Sequence, residues 1–170
     1  MTEKNYNVLF LCTGNSARSI MAEVLLNHLG RGRFKAYSAG SFPSGKVNPF
    51  SIDTLRNMGL PADGLRSKSW DEFTLPGAPR IDFIFTVCAN AAGEACPVWP
   101  GRPASAHWGV DDPAACEGAE DLRRAAFRDA ALILRRRIEF FVNLPLEKLD
   151  APALKRELDH IGCDSNPAPA

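Results

Sequence analysis

The chain has 170 residues, of which 45% are hydrophobic, enough for one domain with a buried core. Its 20 basic and 20 acidic residues cancel, which argues against nucleic acid or an anionic membrane as a partner. No apolar run has the length of a signal peptide or a membrane span, so we expect a cytoplasmic protein. In that compartment its 5 cysteines are expected to be reduced or reactive, and their spacing matches no zinc site.

The first predicted element is a buried strand over the apolar residues 8–11, ending at Cys12. A polar, glycine-containing loop follows, and a helical pattern begins near Ser19 and ends at Gly30. A strand, a tight loop and a helix are therefore expected to meet at Cys12.

The later elements repeat the order of strand and helix. Residues 34–38 predict a second strand, and a second helix starts at residues 48–49 and ends at Gly59. Ser69 could cap a short helix over residues 70–73, and residues 81–87 predict a buried strand that ends at Cys88.

The last third of the sequence predicts a short strand over residues 106–110 and a long helix from Ala119 to about Asn143. We expect the arginine run at 135–137 to lie on the solvated face of that helix, and residues 146–161 to form another helix. These elements favour an α/β fold with a four-stranded parallel sheet flanked by helices.

The loop after Cys12 has the features of an anion site. A loop at a helix N-terminus directs backbone N–H groups inward, and the candidate oxyanion-binding residues are Thr13, Gly14, Asn15, Ser16, Ala17 and Ser19. Arg18 adds a planar charged fork suited to two oxygens of one anion. These groups predict a Cys12 pKa well below the usual value of about 8.5 and a nucleophilic thiolate. A buried structural cysteine beside a surface arginine is the alternative.

Three polar residues follow predicted strands directly: Cys12, Cys88 and Asp112. In an open parallel sheet the carboxyl ends of the strands share one edge, where ligands bind, so we expect these residues to converge there. Pro113 fixes the backbone after Asp112, although the sequence Asp-Asp-Pro is also common in ordinary turns.

Cys88 and Cys96 bound a segment of small residues. Two thiols near a nucleophilic cysteine are what sequential thiol–disulfide exchange requires, whereas a hydrolytic enzyme needs only the nucleophile, the arginine and an acid. Two incidental loop cysteines are the alternative.

Residues 12–19, together with Met21-Ala22-Glu23 and Tyr37-Ser38-Ala39-Gly40, resemble the low-molecular-weight protein tyrosine phosphatase superfamily over about residues 6–143. The sequences Cys-Pro-Val-Trp-Pro at 96–100 and His-Trp-Gly at 107–109 are more similar to the thioredoxin-coupled arsenate reductases built on that fold. The resemblance implies a three-layer sandwich, with a phosphatase-like reductase domain at 1–145 and a C-terminal helical extension and tail at 146–170.

The resemblance also implies a reaction, because arsenate mimics phosphate. Cys12 would attack arsenic while Asp112, rather than Asp111, protonates the leaving oxygen. Cys88 would then attack the Cys12 sulfur and release arsenite, and Cys96 would take over the disulfide. Thioredoxin, or glutaredoxin with glutathione, would reduce it, so the protein would serve arsenic detoxification without a bound cofactor. Phosphate and sulfate would compete with arsenate.

Several positions depart from the family pattern. Ala114 and Ala115 stand where tyrosine phosphatases carry aromatic residues, and Ala17 stands where many relatives carry a cysteine. Some reductases bind potassium through side chains matching Asn15, Glu23 and Ser38. Here Ser69 stands at the acidic fourth position with Lys68 beside it as a candidate replacement for the ion, so no metal is predicted.

Two other functions stay open at this point: a low-molecular-weight phosphatase with regulatory cysteines, and an inactive oxyanion- or partner-binding module. Cys116 and Cys163 are expected to be bystanders, and His107 and Trp108 to pack against or shape the site.

Overall fold

The computed structural model describes residues 4–88, 99 and 101–163. It contains a parallel sheet in the order β2-β1-β3-β4, whose strands are β1 Tyr6–Cys12, β2 Phe34–Gly40, β3 Phe83–Thr86 and β4 Ala104–His107. The helices are α1 Arg18–Leu29, α2 Pro49–Asn57, α3 Glu120–Val142 and α4 Ala151–Cys163. Short 3-10 turns span Trp70–Phe73, Pro113–Ala115 and Leu146–Lys148. The predicted fold class and the four parallel strands are confirmed.

The central strand β1 is buried on both faces, which explains its unbroken apolar run. On one face Val8 and Phe10 join the main core under α1 and α3. On the other face Leu9 and Leu11 join a smaller cluster that includes Phe73 of the first 3-10 turn. This double burial holds the carboxyl end of β1, where Cys12 lies, in a fixed place.

Trp108 occupies the middle of the main core. Its ring is fully buried and stacks on Phe85, with ring centroids 3.7 Å apart. Its indole N–H donates to the Leu158 carbonyl of α4 at 3.0 Å, so the C-terminal helix is docked on the core beside β4. The expected packing role of Trp108 is confirmed, while the domain boundary at residue 145 stays a prediction.

The two later strands are shorter than predicted or displaced. β3 covers Phe83–Thr86 rather than 81–87, and β4 begins at Ala104 and ends at His107 rather than covering 106–110. The Val110 N–H donates to the Val87 carbonyl at 3.0 Å, whereas the regular register would take it to residue 88. The ladder therefore slips by one residue next to Cys88, and hydrophobicity alone does not reveal such a slip.

Three of the four described helices agree with the sequence prediction to within about two residues at each end, whereas the helix predicted over 146–161 is divided into the turn Leu146–Lys148 and α4 Ala151–Cys163. Asn48 caps α2 by accepting a hydrogen bond from the Phe50 N–H, and Ser69 caps the 3-10 turn through the Asp71 N–H. The prediction for the arginine run was wrong at one position, because Arg137 is only 2% exposed. A search of the described helices finds none with the length and apolarity that a membrane crossing requires.

Candidate active site

The loop between β1 and α1 is held by the segment that follows β2. Three of its carbonyls accept hydrogen bonds from that segment: Thr13 from the Phe42 N–H at 3.0 Å, Gly14 from Ser44 at 2.9 Å and Ser16 from Asn48 at 2.9 Å. In a trans peptide the C=O and the next N–H point in opposite directions, and the described chain has no cis peptide bond. The next amides therefore face the other way, which is the arrangement an anion cradle requires.

Asn15 fixes the middle of this loop. It is fully buried and has the left-handed φ of 45° that asparagine tolerates better than most residues. Its side-chain amide donates to Ser19 Oγ at 2.8 Å, and its side-chain oxygen accepts from the Lys68 N–H at 2.9 Å. Asn15 and Ser19 thus tie the loop to the start of α1 and to the segment before the first 3-10 turn.

Arg18 and Asp112 meet across the mouth of this loop. Arg18 Nη1 donates to the Val110 carbonyl at 2.9 Å, and Nη2 lies 3.7 Å from Asp112 Oδ2. The other carboxylate oxygen of Asp112 accepts from the Ala114 N–H at 3.0 Å and caps the short turn after it. The capping bond orients the carboxylate, and 44% of its side chain remains exposed.

Cys88 lies against Cys12 at the base of the loop. The Thr13 N–H donates to Cys88 Sγ at 3.3 Å, and the Thr13 hydroxyl is 3.5 Å from the same sulfur. Cys12 and Cys88 are hydrogen bonded through their side chains, and both residues are buried. The predicted convergence of Cys12, Cys88 and Asp112 at one edge of the sheet is therefore present, whereas Cys96 lies outside the described residues.

The pKa of Cys12 differs from the sequence prediction. The hydrogen bond with Cys88 and burial raise this pKa above its usual value, and the Arg18 charge and the Thr13 amide offset only part of that rise. The predicted low pKa is wrong because it considered a single thiol, whereas two thiols in contact share their protons.

A buried ion pair supports the loop from below. Lys68 Nζ donates to the Arg66 carbonyl at 3.0 Å and to Ser38 Oγ at 3.5 Å, and it lies 3.8 Å from Glu23 Oε1. Ser38 Oγ also donates to Glu23 at 3.1 Å. Burial raises the pKa of Glu23 and lowers that of Lys68, and each charge offsets part of the effect on the other.

These residues do not fit a potassium ion. The oxygens of Ser38 and Glu23 that would coordinate the ion already surround the Lys68 ammonium group, and the Lys68 backbone N–H is bonded to Asn15. Among the described residues, no group of histidine, cysteine, aspartate and glutamate side chains is arranged to hold a metal. The lysine supplies the positive charge at this place in the fold.

Arg137 lies near the site, although the sequence pattern predicts a solvent-exposed side chain at this position. Its Nη1 donates to the carbonyls of Trp108 and Gly109, both at 2.8 Å. The helical spacing could have shown that Arg137 is buried. Position 137 follows Leu134 by three residues and precedes Phe141 by four, so all three lie on the buried face of α3. An arginine on an apolar face predicts buried carbonyl partners.

The remaining residues named from the sequence, His107, Cys116 and Cys163, lie outside the anion loop. The exposed His107 ring is hydrogen bonded to Thr86 Oγ1 at 2.8 Å. Cys116 is half-buried near the turn after Asp112, and Cys163 is exposed at the end of α4.

This site defines a class of cysteine-dependent oxyanion enzymes. Its members combine a cysteine at a strand end, an anion loop closed by an arginine at the start of a helix, and an aspartate from a later loop. The family model for low molecular weight phosphotyrosine protein phosphatases matches residues 7–151, and the chain belongs to that family.

Similar proteins within the family carry a narrower name. An arsenate reductase from Halalkalibacterium halodurans is 36% identical over 80% of this chain and 94% of its own length. One from Bacillus subtilis is 36% identical over 74% of this chain and 86% of its own length. The crystal structure of an arsenate reductase from Archaeoglobus fulgidus is 29% identical with a TM-score of 0.63, covering 81% of this chain and 99% of that chain.

Replacing Cys88 with alanine should lower the pKa of Cys12, because it removes the largest cause of the rise and leaves Arg18 and the Thr13 amide in place. The thiolate fraction at a given pH below the pKa then increases. The rate of Cys12 alkylation by iodoacetamide, followed by peptide mass spectrometry across a pH series, should reach its midpoint at lower pH than in the wild type. Cys116→Ala is the control and should leave the midpoint unchanged; a midpoint that stays or rises in Cys88→Ala contradicts the assignment.

Lys68→Met should destabilise the fold by about 3–5 kcal/mol, because it leaves Glu23 buried without its partner. Urea unfolding measures this loss, and the double variant Lys68→Met/Glu23→Gln should recover much of it. Wild-type stability and arsenate turnover should be the same in potassium and sodium salts. A clear potassium requirement of the wild type would refute the assignment of the ammonium group to this place.

Proposed function

We propose that this protein is an arsenate reductase that forms a thiol–arsenate adduct on Cys12 and passes the resulting oxidation through Cys88 to Cys96. The observation that carries this proposal is the contact of Cys88 Sγ with the Thr13 amide at 3.3 Å, which sets a second thiol beside the nucleophile. Hydrolysis of a phosphate ester has no use for that second thiol.

In the first step the anion loop of residues 13–19 binds arsenate, as the same loop of a phosphatase would bind phosphate. The loop amides and Arg18 bind the tetrahedral anion, and the Cys12 sulfur attacks arsenic. The S–As bond forms as an As–O bond breaks, and Asp112 donates a proton to the departing oxygen. The 3.7 Å separation of Arg18 and Asp112 supports these roles, since it places the acid beside the anion's guanidinium ligand.

The second step is the reduction. Cys88 attacks the Cys12 sulfur, the S–S bond forms, and the electron pair of the breaking S–As bond stays on arsenic. Over the two steps arsenic passes from As(V) to As(III) and the two thiols become one disulfide. The oxygen that departs in the first step leaves as water with the Cys12 proton and the Asp112 proton, and the Cys88 proton returns to Asp112. Burial of both sulfurs favours this step, because competing water and external thiols have little access.

The third step moves the disulfide outward. Cys96 attacks Cys88, forms the Cys88–Cys96 disulfide and returns Cys12 as a thiol. Three residues after Cys96 in the sequence, Trp99 packs on the cluster of Leu9, Leu11 and Ile84. Thioredoxin, or glutaredoxin with glutathione, then reduces the Cys88–Cys96 disulfide. Both reductant systems belong to the reducing cytoplasm, and the proposal is that the protein works there in arsenic detoxification.

The phosphatase alternative is supported less well. Ala114 and Ala115 follow the Asp-Pro sequence and offer no aromatic wall for a tyrosine ring. The cradle itself does not distinguish arsenate from phosphate, so a low activity on small aryl phosphates accompanies the reductase proposal, and phosphate and sulfate compete with arsenate. An inactive binding module would not need an acid, a nucleophile and a second thiol in contact.

Cys88→Ala should abolish arsenite production in a coupled assay that follows NADPH oxidation, while hydrolysis of p-nitrophenyl phosphate stays measurable, because the latter needs only Cys12, Arg18 and Asp112. The assay is run separately with thioredoxin and with glutaredoxin plus glutathione, which identifies the reductant. Cys96→Ala should release about one equivalent of arsenite per protein and then stop.

The matched control is Cys116→Ala, which removes a half-buried thiol outside the cradle and should retain the wild-type rate. Equal loss of both activities in Cys88→Ala, with the fold intact by circular dichroism, would contradict the proposal. Strong hydrolysis of phosphotyrosine without arsenate-linked NADPH oxidation in the wild type would favour the phosphatase.

A further inference from the structure

The segment that leads into Asp112 is held by two arginines. Arg137 donates to the carbonyls of Trp108 and Gly109 at 2.8 Å each, and Arg18 donates to the next carbonyl, that of Val110, at 2.9 Å. Three successive backbone carbonyls thus have guanidinium partners, and the last of them is only two residues before Asp112. Charged donors to carbonyls are stronger than neutral ones, so this segment is fixed more firmly than an ordinary loop.

Trp108 and Val110 are buried in the main core, whereas the side of the segment that faces α3 borders a pocket. A cavity of about 640 Å³ separates it from α3 and is lined by Gly109, Val110 and Pro113 on the loop and by Ala126, Ala130 and Ile133 on the helix. The hydrogen bonds of Arg137, which lines the same cavity, cross from the helix to the loop.

Burial of Arg137 has an energetic consequence. The residue is 2% exposed, and a buried guanidinium group is tolerated only where it has hydrogen-bond acceptors. Asp111, Asp112 and Asp129 line the same cavity and are the acidic groups that face it from the loop and from the helix. Moving the loop away from α3 would break both of the 2.8 Å bonds from Arg137 to the backbone carbonyls.

We propose that Arg137 is a positioning residue for the reaction, which holds the Trp108–Gly109 backbone so that Asp112 stands beside Arg18 and the anion. This inference rests on the proposed role of Asp112 as the proton donor. These two hydrogen bonds of Arg137 go to backbone carbonyls and not to the anion or the cysteines. Arg137 therefore acts through the backbone that carries Asp112.

The test is a single turnover with arsenate, in which arsenite release is measured without any reductant partner. Arg137→Met should slow this release about 10–100-fold, the size expected when a general acid is displaced by about an ångström, with arsenate affinity little changed. Arg136→Met is the matched control, because Arg136 is the exposed neighbour on α3 and its guanidinium lies over the Phe140 ring. It should keep the wild-type rate.

A leaving-group comparison separates loss of the proton donor from general damage. p-Nitrophenolate departs without protonation, whereas phenolate needs the acid, so Arg137→Met should lower kcat/KM for phenyl phosphate more than for p-nitrophenyl phosphate. Arg137→Lys, whose donor is one bond shorter, should show the same bias to a smaller degree, and it decides the question if the methionine variant does not fold.

Asp112→Asn distinguishes a failure of the proposed acid role of Asp112 from a failure of the positioning role of Arg137. If it leaves the leaving-group bias and the arsenate rate at wild-type values, the proposed acid is wrong. If it shows the bias while the folded Arg137 variants do not, or if those variants release arsenite at the wild-type rate, Arg137 is not a positioning residue and this inference is overturned.

Discussion

The hydrogen bond from the Thr13 amide to Cys88 Sγ is the interaction on which the rest of the site depends. It joins the first residue of the anion loop to Cys88, just beyond the neighbouring strand β3, so that two thiols lie in contact where hydrolysis of a phosphate ester would use one. The same contact explains why the pKa of Cys12 is raised despite Arg18, since the proton is shared between two sulfurs. A site that is poor at holding an isolated thiolate is well arranged to make a disulfide.

The cradle around these sulfurs owes its shape to residues from outside the loop. Amides of the segment after β2 turn the loop carbonyls outward, and Lys68 beneath the loop joins Glu23 and Ser38 in a buried ionic cluster. Arg18 and Arg137 hold the backbone that carries Asp112. Each of the three components of the proposed chemistry, the anion ligand, the acid and the second thiol, is therefore fixed by a hydrogen bond to backbone rather than by packing alone.

Most of the fold could be predicted from the sequence, because the apolar runs of β1 and β3 and the capping residues Asn48 and Ser69 are local signals. The meeting of Cys12, Cys88 and Asp112 at one edge followed from the parallel topology. Two features could not be predicted that way. The pKa of Cys12 depends on a contact across 76 positions of sequence, and the burial of Arg137 depends on which carbonyls the loop presents to α3. Both are properties of tertiary contacts that a local pattern does not contain.

The most direct measurement is disulfide mapping by mass spectrometry after the reduced protein has been exposed to arsenate without an external thiol. The proposed transfer of oxidation from Cys12 to Cys96 predicts a Cys88–Cys96 bridge in the wild type and a Cys12–Cys88 bridge in Cys96→Ala, each formed with one equivalent of arsenite. If arsenite appears and no bridge joins any two of these three cysteines, the claim that the contact of Cys12 and Cys88 serves to form a disulfide is wrong.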